Sequence, residues 1–430
     1  MCHLRCSSLF VHVDRPRKPD SQQALAAQTT SLSAAPSQEQ SQGFIEDSTW
    51  SLLNRTVYDH REYRNGARNN AARNAYKPRS ERNGYAEEWA YGLMADYASG
   101  FTTGTLGFGL DAHVYSAWQL DSGGGRAGKA RLLGVDNDGH PKDQFSRGGA
   151  VAKLRFSSTE LRYGEQRVKT PVFSSSDSRL LPETATGIFI NSQEISGLKM
   201  VGGHFTESTD RNASSHDRGF VVNYSNGRQG NDFDLAGVVY DGIDGLSTSL
   251  YTSRYADNWR QHYLGSSYIH SLGGDQSLSV NVNLYRTQDT GKALSGRIDN
   301  TTWSLVSRYN QGPHGFSLGW QQVDGNTPFD YVTRGAIFIA NAVQMSDFNA
   351  PNEQSWQARY DYNFAAMGIP GLTFMTRYIS GDNVSRAAGG EGKEWERNTE
   401  LKYVVQSGPL KNVAVRLRNA TFRSNFTRDA

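Results

Sequence analysis

Hydrophobic and polar residues alternate along most of the chain from Thr49 onward. In Ser277–Tyr285, four aliphatic side chains fall on one face, and serine and asparagine fall on the other. A period of two is that of a β-strand with one apolar face, and no helical period fits this segment. The same pattern predicts strands at 106–114, 372–378 and 413–417.

The connections between the predicted strands are of two lengths. Short turns are expected near 99–103, 157–160, 194–197, 241–245, 272–276, 311–314, 367–371 and 407–411. Long polar stretches lie between them at 60–85, 118–147, 167–187, 207–231, 287–300, 322–353 and 381–397, and 256–259 is an exception because it is short. Tight turns that alternate with long loops are typical of outer-membrane barrels. The pattern therefore predicts an all-β, transmembrane antiparallel β-barrel.

The number of predicted strands is odd. Counting in this way gives 17 strands up to about Arg423. Closed single-chain bacterial barrels normally have an even number of strands. We therefore expect the chain to stop one strand early.

Composition excludes several other classes of protein. Two cysteines among 430 residues cannot form a disulfide framework or by themselves build a four-ligand zinc site. No apolar run approaches the roughly 20 residues of a membrane-spanning helix. The 45 basic and 43 acidic residues give a net charge of +2, which does not indicate a nucleic-acid partner.

Residues 1–42 differ from the remainder of the chain. They contain both cysteines and a long Ser/Gln/Ala-rich stretch, and such a composition predicts disorder because few large apolar side chains are present. The apolar run Leu9–Val13 is shorter than the ~7–15-residue core of a signal peptide. We expect this segment to be disordered, or the assigned start to be displaced from the true one. Residues 43–430 are then a single barrel domain.

Several stretches, in the same order along the chain, resemble those of a known family. They include Pro171–Phe173, Ser178–Gly187, Gly203–Thr206, Asp275–Leu278, Asn300–Leu305, Pro328–Tyr331, Ser346–Asn349, Ser355–Asp361, Pro370–Met375 and Lys402–Pro409. From Gly43 to about Arg423 the chain resembles the OprD family of substrate-specific outer-membrane porins of pseudomonad-type bacteria. The resemblance implies an 18-stranded barrel, a lumen narrowed by inward-folded loops, and passive uptake of small carboxylate-containing molecules. Members end on a strand that closes with an aromatic residue, whereas this chain ends at Ala430, where the last outer loop is expected to begin.

Strand parity predicts which charged side chains face the lumen. If Val415 and Leu417 face lipid, Arg416 and Arg418 face inward, about 6.5–7 Å apart along the strand. The same reasoning, together with the family's ladder of basic residues, gives a substrate-binding set of Lys153, Arg155, Arg162, Arg359, Arg377, Lys402, Arg416 and Arg418. Arginine suits this role because its planar fork binds carboxylates and stays charged.

A second interpretation of these cations stays open. They could solvate the lumen wall or pair with local acids, as Arg359 could with Asp361 and Lys402 with Glu400. Arg416 and Arg418 have no acid in the same short stretch, which favours a transport role for them.

The resemblance places the constriction in the third and seventh outer loops. The candidate residues are Phe173, Ser178, Arg179, Glu183 and Asp347. Members that resemble basic-amino-acid channels carry an acid and hydroxyl groups at the positions that are here occupied by Gly335, Ala336, Ala342 and Met345. Their absence weakens any contact with an ammonium or guanidinium group. We therefore expect simple or aromatic carboxylates to be favoured over basic amino acids.

Alternative functions have different signatures. Two alternatives remain: a channel selective for basic amino acids or peptides, and a non-specific diffusion porin. An enzyme is not expected, because the sequence has neither Gly-x-Ser-x-Gly nor His-Glu-x-x-His. We expect no cofactor, no metal and no nucleic acid. The expected partners are small carboxylates, outer-membrane lipid and lipopolysaccharide, the outer-membrane assembly machinery and a weakly associated trimer.

Overall fold

The computed structural model describes residues 2–13, 37–64, 66–225, 230, 232–335, 337–386 and 389–427. In this part of the chain, regular structure consists of β-strands and four short 3₁₀ helices. The 3₁₀ helices are Gln38–Gln40, Ala72–Tyr76, Arg79–Glu81 and Phe364–Met367. None of the described helices is long and apolar enough to cross a membrane.

The strands form one antiparallel sheet. In chain order they are β1 (Cys2–Val13), β2 (Thr49–Tyr63), β3 (Tyr85–Ala98), β4 (Leu106–Asp121), β5 (Gln144–Phe156), β6 (Thr159–Gln166), β7 (Thr184–Ile195), β8 (Leu198–Thr209), β9 (Asp217–Arg218), β10 (Phe233–Ile243), β11 (Leu246–Tyr255), β12 (Trp259–Gly273), β13 (Gln276–Asp289), β14 (Asp299–Gln311), β15 (His314–Asp324), β16 (Gln354–Asn363), β17 (Leu372–Ser385), β18 (Glu391–Val404) and β19 (Val413–Ser424).

Seventeen of these strands, β2–β8 and β10–β19, are the ones that the alternating pattern predicts. Neighbouring strands pair in chain order, and β8 pairs with β10 because β9 is only a two-residue extension of the sheet. The prediction of an antiparallel β-barrel with 17 strands from Thr49 onward is therefore confirmed.

The edge strands β2 and β19 are joined through the N-terminal segment. Strand β1 pairs with β19, where Cys2 lies opposite Ser424, and with β2, where Val13 lies opposite Asn54. Within the described residues, β2 and β19 are not paired directly with each other. The sequence did not predict this strand, because 1–42 has no sustained alternation.

Apolar side chains cover the outside of the barrel. On β4, Leu106, Phe108 and Leu110 are 43%, 56% and 43% exposed. On β19, Val415 and Leu417 also point outward. This arrangement is the reverse of that in a soluble protein, and it fits a surface surrounded by lipid. The strand parity used to predict the lumen residues is therefore correct.

The two ends of the barrel differ as predicted, with one correction. All eight predicted short turns connect adjacent strands, and the 256–258 connection is short as well. Residues 381–397 were expected to form a long loop, but β17 continues to Ser385 and β18 begins at Glu391. Polar strands can pair above the membrane, since water satisfies side chains that lipid would not. Polarity therefore overestimates the length of this loop.

Three long outer loops fold into the lumen: loop 3 (167–183), loop 4 (210–232) and loop 7 (325–353). They bury an aromatic cluster against β8 and β10–β13. This aromatic cluster consists of Phe173, Phe205, Phe220, Phe233, Tyr255, Trp259, Tyr263, Tyr285 and Phe329.

Candidate functional site

Basic side chains from adjacent strands form a charged wall on one side of the lumen. Strand pairing places Arg377 opposite Arg359, and Arg359 opposite Ser317, which lies opposite Arg308. Opposite residues in such pairs lie about 4.5–5.5 Å apart. We use the name charged wall for Arg308, Arg359, Arg377, Lys402, Arg416 and Arg418. Arg308 was not predicted, although its place on an alternating strand would have revealed it.

One carboxylate is bonded to two arginines of the charged wall. Asp361 accepts hydrogen bonds from Arg359 at 2.7 and 2.9 Å and from Arg308 at 2.6 Å. The prediction that Arg359 could pair with Asp361 is confirmed. Arg377 instead donates from Nε to Oδ1 of Asn398, at 2.6 Å.

The structure corrects the expectation that Arg416 and Arg418 have no acid beside them. Strand β18 pairs with β19 so that Glu400 lies directly opposite Arg418. Arg418 donates to one oxygen of Glu400, and Nε of Arg416 lies 3.5 Å from the other. Lys402 lies opposite Arg416 in the same pairing. The acid was missed because strand pairing, and not sequence proximity, brings it to these arginines.

The predicted cations of β5 and β6 are also held by neighbouring groups. Lys153 contacts Asp111 at 2.5 Å and donates to the carbonyl oxygen of Ser99 at 2.8 Å. Arg162 contacts Asp111 at 2.7 Å and Glu160 at 3.0 Å. Lys153 is almost completely buried, so Arg162 is the more accessible of these two cations.

Arg155 is covered by the segment that precedes the barrel. Its Nε donates to Gln38 at 3.0 Å, and its NH2 donates to Ser41 at 2.6 Å. Its guanidinium group also lies 4.0 Å from the centre of the Phe101 ring. Gln38 in turn donates to the carbonyl oxygens of Thr102 and Gly104. Contacts between the N-terminal segment and the barrel thus begin at Gln38, several residues before position 43, where the barrel domain was predicted to start.

Loop 3 is fastened to the barrel wall by an inward-facing arginine of β2. NH1 of Arg55 contacts Asp177 at 2.8 Å and the carbonyl oxygens of Arg179 and Leu180 at 2.5 and 3.3 Å. Ser178 is exposed and Arg179 is partly exposed at the tip of this loop. These two residues are accessible to solvent, and their place in the constriction stays a prediction.

Phe173 was predicted to line the constriction, and the structure corrects this. Its side chain is 1% exposed. Its ring packs on Phe205, Phe220 and Phe233, with centroid distances of 5.1, 5.4 and 4.9 Å. An aromatic ring gains more by being buried in this cluster than by facing water. Phe173 thus anchors loop 3 and does not contact a passing solute.

Glu183 was also predicted to line the constriction, but it is buried between loops 3 and 7. It accepts hydrogen bonds from the backbone N–H groups of Ser176 and Arg334, at 2.9 and 3.1 Å. NH2 of Arg211 lies 3.5 Å from the same carboxyl group. Burial raises the pKa of Glu183 to about 7, and Arg211 opposes this rise. Glu183 therefore joins the two loops.

Asp347 lies in loop 7 with its carboxylate already bonded. It accepts hydrogen bonds from the hydroxyl groups of Tyr224 and Tyr331, at 2.6 and 2.7 Å. Burial raises the pKa of Asp347 above its usual value. Tyr224 was missed because nothing in the sequence indicated that loop 4 also folds inward.

The loop 7 positions that lack acids and hydroxyl groups are packed against other parts of the protein. A side chain at Gly335 would come within 1.6 Å of the carbonyl oxygen of Ser174, and Ala342 packs on the aromatic cluster. The backbone N–H of Met345 donates to Glu396 on β18 at 3.1 Å. Ala336 lies outside the described residues.

An apolar exterior, a charged interior and loops folded into the lumen together define an outer-membrane channel. The comparisons with known proteins agree with this class. A model of the OprD family of outer membrane porins matches residues 42–430. Porin D of Pseudomonas aeruginosa is 42% identical over 410 residues, which are 90% of this chain and 88% of that protein. The porin-like protein GalP of Pseudomonas putida is 34% identical over 405 residues, or 93% of this chain and 92% of that protein.

Solved structures give the same result. A BenF-like porin from Pseudomonas fluorescens has a TM-score of 0.83 and 35% identity, covering 90% of this chain and 96% of its own. Pseudomonas aeruginosa OpdK with vanillate has a TM-score of 0.77 and 31% identity, covering 89% of this chain and 99% of its own. The chain belongs to the OprD family of outer-membrane porins, which mediate substrate-specific uptake. It is a passive channel of the outer membrane and not an enzyme.

Proposed function

We propose that the channel takes up small carboxylate-containing solutes, and that simple or aromatic acids are favoured over basic amino acids. The observation that carries this proposal is the greater exposure of the cation in two ion pairs of the lumen. The side chain of Arg418 is 32% exposed, against 14% for Glu400. Arg167 of loop 3 is 44% exposed, against 28% for Asp96. In these two pairs the cation is more accessible to a solute than the acid, whereas in the Lys153–Asp111 pair the acid is the more exposed partner, at 17% against 5%.

The two acids predicted at the constriction support the same preference. Glu183 is bonded to backbone N–H groups, and Asp347 is bonded to two tyrosine hydroxyls. These hydrogen bonds already use part of the acceptor capacity of both carboxyl groups, which leaves less of it for an ammonium or guanidinium group. At the charged wall a carboxylate competes only with an acid that two arginines share, such as Glu400.

The charged wall is suited to transport because its arginines share carboxylates in pairs. Glu400 serves both Arg416 and Arg418, and Asp361 serves both Arg308 and Arg359. Each group thus consists of two arginines around one acid. Binding to such a group is expected to stay weak, because the local acid competes with the solute, and weak binding allows the solute to leave. The proposed path also includes other cations that are buried or only partly exposed. They are Lys153, Arg155, Arg162, Arg377 and Lys402.

The aromatic preference is supported by a relative. OpdK, which is 31% identical, has been solved with vanillate. A channel selective for basic amino acids is the second candidate, and one observation favours it: the side chain of Asp177 is 42% exposed, whereas its partner Arg55 is only 7% exposed. Asp177 is therefore one carboxylate that a cationic solute could reach.

A comparison of two solutes in planar bilayers tests the proposal. We expect benzoate to reduce the single-channel current in a saturable manner, and arginine to do so only at higher concentration. In Arg418→Gln, the half-saturating benzoate concentration is expected to rise about tenfold, since a charge-assisted hydrogen bond is lost. The control is Arg397→Gln, which removes an exposed arginine from the outer face of the neighbouring strand. Preference for arginine over benzoate would overturn the proposal.

The remaining expected partners are proposals as well. The exposed apolar exterior fits outer-membrane lipid and lipopolysaccharide, and a barrel of this class requires the outer-membrane assembly machinery. The channel also forms a weakly associated trimer, which crosslinking in native membranes would test.

A further inference from the structure

A cavity of about 120 Å³ lies in the lumen, away from β16–β19. Strands β8 and β10–β13 form its wall, and loops 3 and 7 cover it. Strands β14 and β15 separate it from β16–β19. We use the name wall pocket for this cavity, whose lining includes Lys169, Lys199, Ser247, Ser249, Ser267 and Phe338.

The strand pairing explains how the wall pocket is assembled. Lys199 lies opposite Val239, and Val239 lies opposite Ser249, so the lysine and the serine belong to one row across three strands. Ser247 lies opposite Ser267 in the next row. Since opposite residues are about 4.5–5.5 Å apart, the ammonium group and the hydroxyl groups face one small space.

Two glycines create room for the aromatic sides of the pocket. A Cβ at Gly237 would lie 2.2 Å from the Tyr251 ring, and a Cβ at Gly265 would lie 2.1 Å from the Tyr263 hydroxyl. The Tyr251 ring therefore lies over Gly237 of the neighbouring strand, and the Tyr263 hydroxyl lies over Gly265 of its own strand, in places that a larger residue would occupy. Phe338 of loop 7 adds a third ring, 6.4 Å from that of Tyr263.

The two lysines differ from the cations of the charged wall in their partners. Within the described residues, neither Lys169 nor Lys199 has an acid within ion-pair distance, and neither amine donates a hydrogen bond. Glu160 acts on Lys199 electrostatically, but its carboxylate is bonded to Arg162 at 3.0 Å. A pair of unneutralised amines beside hydroxyl groups is a site for an anion with further polar groups.

We infer that the wall pocket is a second lumenal binding site, and that its ligand is a single-ring aromatic carboxylate that carries a hydroxyl group. The amines bind the carboxylate, the rings of Tyr251, Tyr263 and Phe338 contact the planar ring, and the serines bind the hydroxyl. The small volume admits one ring and excludes a peptide. The inference rests on the proposed function, because such a ligand must first enter through the lumen.

The test is concentration-dependent block of single channels by 4-hydroxybenzoate in planar bilayers. In the Lys169→Gln/Lys199→Gln double variant, the half-saturating concentration is expected to rise at least about tenfold. The control is Lys411→Gln, which removes an exposed lysine from a short turn outside the lumen. Conductance in potassium chloride without the acid verifies that each variant forms the channel.

Two further comparisons localise the effect to the pocket. Ser247→Leu fills the wall pocket without changing charge, and we expect it to weaken block by 4-hydroxybenzoate as the lysine variant does. Cyclohexanecarboxylate, which has the charge without the aromatic ring or hydroxyl, is expected to lose much less affinity in Ser247→Leu.

The outcomes separate this inference from the proposed function. If the wild-type channel shows no saturable block by any carboxylate, the proposed function fails, and this site fails with it. If the wild type is blocked and the lysine and Ser247→Leu variants are blocked equally well, only the wall pocket is overturned. Weakening in the lysine variant alone would also overturn the pocket, because it would assign the effect to charge in the lumen at large.

Discussion

The two sides of the lumen are built by different means. The charged wall on β14 and β16–β19 presents arginines that share carboxylates, and their side chains are partly exposed. The opposite side, on β8 and β10–β13, is filled by the aromatic cluster and the loops packed on it. The charged wall thus supplies positive charge to the lumen, and the side that carries the aromatic cluster narrows the lumen. We propose that packing on the one side makes the charge pattern on the other side selective, because the charges of a wide lumen would be screened by salt.

Removal of the Phe173 ring is expected to have the largest effect on this arrangement. A buried phenylalanine replaced by alanine costs about 3–5 kcal/mol, which is sufficient to release loop 3 from the aromatic cluster. In Phe173→Ala we expect the single-channel conductance to increase, roughly twofold for a widened path, and the preference for benzoate to fall. Planar-bilayer recordings measure both quantities.

The matched control for Phe173→Ala is Phe108→Ala, which removes a ring that is 56% exposed on the outer face. Its conductance should equal that of the wild type. A Phe173→Ala channel that keeps wild-type conductance and selectivity would show that the aromatic cluster does not hold loop 3.

Removal of the shared acid of the charged wall is expected to have the next largest effect. In Glu400→Gln, Arg416 and Arg418 lose their common carboxylate, and about 1 kcal/mol of attraction for anions is gained at short range. The ratio of anion to cation permeability should rise about fivefold. The reversal potential in a salt gradient reports this ratio. Glu391→Gln, at the outer end of the same strand, should leave it unchanged.

The buried carboxyl of Glu183 makes the contact between loops 3 and 7 sensitive to pH. Burial raises its pKa to about 7, above the usual 4.5, so the folded loops bind a proton more tightly than unfolded chain does. Stability from this group is complete at pH below 4.5 and is lost as the pH rises through about 7, by up to about 3 kcal/mol. Brief channel closures should therefore become more frequent between pH 6 and pH 8.

The Glu183→Gln variant isolates this carboxyl group. Its closure frequency should not change over the same pH range, since glutamine does not titrate. Equal pH dependence in the variant and the wild type would assign the effect to another group.

The smallest effect is expected for Asp347→Asn. The carboxylate already accepts hydrogen bonds from two tyrosine hydroxyls, so it is less available to a solute than an acid without such bonds. Asparagine keeps an oxygen acceptor for one of these bonds. The permeability ratio should remain within about twofold of the wild-type value. A change in the permeability ratio as large as that of Glu400→Gln would mean that the Asp347 carboxylate acts on passing ions.

Strand parity was the most successful prediction from the sequence. It placed Arg359, Arg377 and Arg418 in the lumen and Leu417 outside, because lipid requires one apolar face on every strand. It could not identify the partners of these residues. Glu400 reaches Arg418 through the pairing of β18 with β19, and the register of that pairing depends on the whole sheet.

Loop positions were harder to predict than strand positions. Phe173 and Glu183 belong to the loop that was predicted to fold inward, but one anchors the loop and the other joins it to loop 7. Which side of a loop faces the solute depends on what the loop packs against. Lys169 of loop 3 gave no signal for the same reason, because the pocket that it shares with Lys199 of β8 depends on how the loop packs.

The sequence by itself determined that this chain is an outer-membrane β-barrel of the OprD family with an apolar exterior and a basic lumen. It could do so because a period of two and alternating connection lengths are local properties that lipid imposes on each strand. Only the tertiary structure decided which cations are neutralised, which loop residues are buried, and where β1 lies. These features depend on contacts between strands and loops far apart in the chain, and no local pattern encodes them.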